Sequence, residues 1–241
     1  MKKTLLGSTL AAVVLSTLPA AAFADVAFNV GAVTDYRYRG ISQTRLKPAL
    51  QGGADYSNGG FYLGTWASTI KWIKDAGGDA DVEIDLYGGY KFELAKGTTL
   101  DVGVLTYQYP SNKLATSANT TEVYAAFTYD IFTAKYSHSV TNLFGFADSK
   151  SSGYLDLSAA VDLGDGLSLT PHVGYQKVSH NGDYSYTDYS LTLAKDIKGL
   201  VLSVAVVGTD TKKLGGNYTY VSPAGKNLGK ATAVLGVKYN F

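Results

Sequence analysis

The sequence predicts an all-β protein, a transmembrane antiparallel β-barrel of 12 strands. Three observations carry that expectation. Long segments alternate strictly between apolar and polar residues, the connections between them alternate between short and long, and the last segment alternates to the final residue.

The alternation is cleanest at 81–92. Val82, Ile84, Leu86, Gly88, Tyr90 and Phe92 share one face, while Asp81, Glu83, Asp85, Tyr87 and Lys91 share the other. Such a run exceeds the ordinary strand of a soluble domain and suits the ~9–11 residues of a tilted strand crossing a bilayer. Similar segments are expected at 26–37, 47–56, 60–70, 80–92, 98–109, 120–129, 131–140, 153–162, 167–178, 185–195, 200–210 and 231–241.

Between them, Ser57-Asn58-Gly59, 93–97, Asp130, Gly164-Asp165-Gly166 and 196–199 are short turns rich in Gly and Asp. The connections at 38–46, 71–79, 110–119, 141–152, 179–184 and 211–230 are longer and polar. Short turns on one side and long loops on the other mark a membrane barrel with periplasmic turns. An even strand number returns both ends to the periplasmic side. Closure is the physical requirement, because lipid offers no partner to the backbone groups of an open sheet edge.

The faces follow from parity. Phe28, Val30 and Ala32, then Val123, Ala125 and Phe127, then Leu202, Val204 and Val206 are expected to face lipid. The segment at 60–70 carries aromatics on both faces and is less clear. Ala233, Leu235, Val237, Tyr239 and Phe241 alternate to the C-terminal carboxylate. That ending resembles the signal read by the barrel-assembly machinery of the outer membrane, with Tyr239 and Phe241 as its residues.

The N-terminus sets the compartment. Lys2 and Lys3 precede an apolar run from Thr4 to Leu18, and Ala22-Phe23-Ala24 supplies a small-x-small cleavage pattern. A signal peptide over 1–24 is expected, with the barrel domain over 25–241. The run is shorter than the ~20 residues of a transmembrane helix. After cleavage the net charge is about −1, so no general attraction to nucleic acid follows. The chain contains no cysteine, and no disulfide can hold it together. Its 19 Tyr and 27 Gly suit pleated surfaces, turns and crowded walls.

All three arginines, Arg37, Arg39 and Arg45, lie within nine residues. Asp35, Arg37 and Arg39 share the parity of Asn29 and Gly31, which places them on the lumen wall of the first strand. Asp81, Glu83 and Asp85 join them as expected pore lining, with Asp101, Glu122 and Asp156 as further candidates. A basic cluster opposite an acidic ladder would set a transverse field and select solutes by charge. Two other readings compete. The same charges could salt-bridge across a narrow lumen and leave no open path, or Arg39, Arg45 and Lys47 could bind lipopolysaccharide phosphates from the first outer loop.

Rival classes are weaker. Ser137-His138-Ser139 sets hydroxyls beside an imidazole, but strand neighbours point to opposite faces and cannot act as nucleophile and base. His172 is expected in the lumen and His180 in a loop. No enzyme activity and no cofactor is expected. Asp79, Asp81, Glu83 and Asp85 lie too far apart along one strand face to share a metal. A soluble lipocalin-like barrel would need its polar and apolar faces exchanged. The tyrosines of 183–189 and 217–220 are read as aromatic girdle, ahead of surface recognition.

The stretch Thr34-Asp35-Tyr36-Arg37-Tyr38-Arg39-Gly40-Ile41-Ser42-Gln43-Thr44 resembles the N-terminal motif of the TorF-family porins, a proteobacterial group. Pro48-Ala49-Leu50-Gln51-Gly52-Gly53, Gly60-Phe61-Tyr62-Leu63-Gly64-Thr65-Trp66-Ala67-Ser68 and Tyr239-Asn240-Phe241 match it too. The resemblance implies an outer-membrane porin conducting small solutes, and it brings no catalytic residues. Passive diffusion of small hydrophilic solutes or ions is therefore expected. The alternative is a non-conducting structural or adhesive barrel with a salt-bridged lumen. Expected partners are outer-membrane lipid and lipopolysaccharide, the assembly machinery and the solutes.

Overall fold

A computed structural model describes residues 25–241. The expected signal peptide lies outside the described residues. Twelve barrel strands follow in order: β1 (Asp25–Val33), β2 (Ala49–Asn58), β3 (Phe61–Thr69), β4 (Val82–Ala95), β5 (Thr98–Gln108) and β6 (Thr120–Tyr129). The second half holds β7 (Phe132–Ser139), β8 (Gly153–Ala159, resuming at Val161–Gly164), β9 (Leu167–Lys177), β10 (Tyr186–Ile197), β11 (Leu200–Thr209) and β12 (Thr232–Asn240).

Every strand pairs antiparallel with its chain neighbours, and β1 with β12 closes the ring through Asn29↔Asn240 to Val33↔Gly236. Phe28 and Phe241 exchange backbone hydrogen bonds at 2.8 and 3.0 Å, which carries the seam to the last residue. No edge remains to be satisfied in lipid.

The short turns take their form from left-handed backbone. Asp165 and Gly166, like Lys198 and Gly199, have positive φ, the geometry whose twist matches a two-residue hairpin. Strand ends agree closely with the alternating segments, with one large exception. β1 stops at Val33 rather than continuing to residue 37. The chain then turns into the barrel, and Arg37–Tyr38 pairs with Ile41–Ser42 as a small hairpin. Arg39 and Gly40 make its turn, both with positive φ.

The two faces separate as parity predicts. Phe28, Val30, Leu63, Leu86, Val104, Phe127, Leu191 and Val206 are all exposed on the outer wall. A belt of this extent far exceeds what a water-soluble monomer leaves uncovered, and it marks the lipid-facing surface. Below it runs an aromatic girdle: Phe28 stacks on Phe241, Tyr239 on Phe241, and Tyr90 packs on Phe92. On β3, Phe61 and Leu63 are exposed whereas Tyr62 is buried, so its aromatics serve both faces.

Twelve strands enclose more space than the side chains of an eight-stranded barrel fill. The outer half of that space is occupied. Val33, Tyr36, Ile70, Ile73, Tyr107, Tyr109, Val207 and Val234 form a buried cluster there, drawn from the wall, the 34–48 segment and the one-turn helix Trp72–Asp75.

Candidate functional site

The lumen has two tiers. In the outer tier the 34–48 segment is tied to the wall by its charged side chains. The Asp35 carboxylate accepts from Arg37 Nε at 2.5 Å, Ser42 Oγ at 2.5 Å and Thr44 Oγ1 at 3.2 Å. Arg37 Nη1 donates to the carbonyls of Gly40, Leu228 and Lys230, at 2.9, 2.9 and 3.1 Å. Arg39 reaches the far wall. Its guanidinium forms a bidentate pair with Glu122 on β6, at 3.0 and 2.7 Å, and donates to Gln176 on β9 at 2.6 Å. The same group lies over the rings of Tyr154 and Tyr38, 4.1 and 4.8 Å from their centroids. Tyr36 donates to Glu83 at 2.6 Å.

Gly40 is required at the hairpin tip. Its φ of +79° suits glycine, and an added Cβ would stand 2.8 Å from Asp188 Cβ and also press on Thr209. The tip therefore lies directly against β10 and β11.

The periplasmic tier is polar and only half-buried. Asp55, Lys91, Asp101, Lys135, Asp156 and Lys238 project inward from β2, β4, β5, β7, β8 and β12. Their signs alternate around the ring. Lys91 stands in register with Asp101, and Lys135 with Asp156. Lys135 also lies 3.9 Å from the Tyr124 ring centroid. Tyr62 donates to Asp101 at 2.6 Å and shares a hydrogen bond with Tyr124, while Tyr87 donates to Asp55 at 2.5 Å.

These positions correct several expectations. Asp35, Arg37 and Arg39 are inside the barrel, but on the infolded segment instead of the wall, because the chain leaves the sheet after Val33 and turns inward. Glu83 and Asp85 face the barrel interior, and Asp85 Oδ1 has no hydrogen-bond partner among the described residues. Asp81 precedes β4 and lies in the outer connection, paired with Lys74 at 3.0 Å. Arg37, Arg39 and Arg45 are paired with Asp35, Glu122 and Asp75, so the field is not that of a basic cluster facing an acidic ladder. Asp101, Glu122 and Asp156 all project inward. Three of the loop tyrosines are not girdle: Tyr184 and Tyr186 each pack on Tyr220, and Phe146 joins Tyr184 and Tyr220, whereas Tyr189 is exposed on the outer face of β10.

Outside the spanning strands, Asp79 pairs with Lys113 at 2.7 Å. The lysine hydrogen bonds and charges at Lys113 and Lys74 hold the Asp79 and Asp81 carboxyls below their usual range. Ser137 and Ser139 point inward and are buried, whereas His138 contacts the ring of Tyr136 on the outer face. His172 is lumenal, 3.0 Å from Asp156 and 3.2 Å from the Tyr154 hydroxyl. No group of three or more His, Cys, Asp or Glu among the described residues is placed to hold a metal ion.

Parity could have identified Lys135 and Lys238, which share faces with Ser137 and Gly236. It carries no information on the contact between Arg39 and Glu122, 83 residues apart.

A family model described as a bacterial protein of unknown function (Gcw_chp) matches residues 18–241. The chain belongs to the Gcw_chp family. No curated protein matches it. Among solved structures, this Gcw_chp protein is similar to a KdgM porin, with a TM-score of 0.58 at 9% identity over 89% of this chain and 99% of the other. A KdgM porin in complex with disordered oligogalacturonate gives 0.56 at 10% identity, over 91% and 99%. A NanC porin gives 0.54 at 10%, over 90% and 99%. The shared fold and the apolar belt make this Gcw_chp chain a membrane-spanning β-barrel.

Proposed function

We propose that the protein is a porin-like channel for passive diffusion of small hydrophilic solutes or ions, with the 34–48 hairpin as its constriction. The observation that carries this reading is the half-buried ring of alternating charge in the periplasmic tier, a polar vestibule leading to one infolded segment. The resemblance to TorF-family porins and the fold shared with the KdgM and NanC porins support it. Export by a signal peptide cleaved after Ala24 belongs to the same reading and rests on Lys2, Lys3 and the Ala22-Phe23-Ala24 pattern. So does assembly through Tyr239 and Phe241.

The alternating ring also bears on the solute. Carboxylates interrupt the lysines around the wall, which disfavours a long polyanion such as the oligogalacturonate of the KdgM complex and suits small neutral or zwitterionic molecules.

A second reading, a non-conducting barrel, is favoured by the burial of Arg37 and Glu122, which are 2% and 1% exposed. Single-channel recording of refolded protein in planar bilayers separates the two. Discrete steps in the wild type, with selectivity moving toward cations in Arg37→Ser/Arg39→Ser, establish the channel. Folded wild type without steps, together with steps after deletion of residues 36–45, establishes a plugged barrel. No steps in either overturns the channel reading.

A further inference from the structure

A cleft of about 360 Å³ opens on the outer rim, away from the lumen, between the return limb of the 34–48 segment, the end of β3 and the 210–231 connection. Arg45, Lys47, Lys71 and Lys226 all line it. Arg45 is paired with Asp75. The three lysines are exposed and have no carboxylate within 4 Å among the described residues. Four cations converge here against Asp75 on Arg45 and the more distant charge of Asp81 near Lys71, whereas in the periplasmic ring the signs alternate one for one.

The frame that holds them is fixed. The amides of Lys71 and Trp72 donate to the Gln43 carbonyl at 2.8 and 3.2 Å, tying the hairpin limb to the end of β3. Lys226 is set by a tight turn in which its amide donates to Ser222 Oγ at 3.2 Å and its carbonyl accepts from the Ser222 amide at 2.9 Å.

Height on the barrel names the ligand. The floor of the cleft includes Thr69, whose Oγ1 accepts from the Leu50 amide at 3.1 Å. Leu50 is the outermost lipid-facing residue of β2 and is 68% exposed. The lysines thus begin where the apolar belt stops, at the level of the outer-leaflet headgroups, and in an outer membrane those carry phosphate. We propose that this cleft binds the phosphate groups of lipopolysaccharide. It would take a lipid-linked phosphomonoester through charge-assisted hydrogen bonds from Lys47, Lys71 and Lys226.

The test uses the full barrel in detergent, with hexa-acylated bis-phosphorylated lipid A and its dephosphorylated form as probes, read by native mass spectrometry. Wild type should retain the phosphorylated lipid at least tenfold better. Each lysine-to-serine change should weaken it about fivefold, and Lys47→Ser/Lys71→Ser/Lys226→Ser should abolish the preference. Every variant must keep the heat-modifiable gel mobility of a folded barrel. A charge-matched Lys150→Ser/Lys212→Ser/Lys213→Ser variant, drawn from outer-rim lysines that do not line the cleft, should remain within about twofold of wild type. A preference that survives the first triple variant, or falls equally in both, overturns the proposal. Inorganic phosphate competing at the lipid A concentration would overturn the lipid source.

Discussion

Arg39 and Glu122 form a bidentate pair inside the barrel, joining the tip of the infolded segment to the wall of β6. Both side chains are almost fully buried, at 6% and 2% exposure. Breaking such a pair leaves one charge stranded, at a cost of about 3–5 kcal/mol. Arg39→Ser and Glu122→Gln should each lower the urea midpoint of the lipid-refolded barrel. Arg39→Met/Glu122→Met should recover much of the loss, because neither charge is then left alone. Single changes without effect would mean that the hairpin is not seated on β6.

Gly40→Ala tests the hairpin tip. Positive φ and the approach to Asp188 together should cost about 1–3 kcal/mol. The barrel should still fold, and limited proteolysis should cut within 36–45 where the wild type resists. Equal resistance in both proteins would count against the close contact with β10.

Neighbouring residues on β10 should respond differently. Leu191 is exposed on the lipid face and Ser190 points inward. Leu191→Arg should destabilise the barrel by about 2–4 kcal/mol. Ser190→Arg should leave stability nearer wild type and alter conductance instead. Equal destabilisation would contradict the assigned faces.

The outer rim pairs give a pH prediction. Lys113 and Lys74 depress the carboxyl titrations of Asp79 and Asp81. A depressed folded-state value means that the stabilisation is present above the usual carboxylate range and is lost as pH falls through the lowered value. Lys113→Ala should return the Asp79 titration, followed by carbon NMR, toward its ordinary position. Both groups are exposed, so thermal stability at neutral pH should hardly change. An unmoved Asp79 titration would refute the pairing.

Most of the architecture was legible because one physical constraint, a wall with lipid on one side and a polar lumen on the other, writes itself as period two. Val82 to Phe92 shows it without interruption. The infolded segment was not legible for the same reason. Asp35, Arg37 and Arg39 keep the parity of β1, and parity cannot distinguish a strand that continues up the wall from one that turns inward at Val33. Nor does alternation report partners, so the pairing of Arg39 with Glu122 and the packing of Tyr184 against Phe146 required the fold. Asp81 was misplaced by a single residue at a strand end, where alternation persists briefly after the ladder has stopped.

The anchors of the infolded segment imply an order of assembly. Its chain follows β1, yet its holds are Glu83 on β4, Glu122 on β6, Gln176 on β9 and the carbonyls of Leu228 and Lys230 ahead of β12. Contacts spanning up to 193 positions form late, since the intervening chain must first be ordered. The piece synthesised near the beginning therefore settles near the end, and a nascent barrel would pass through a wide, unobstructed stage before its own hairpin comes to rest.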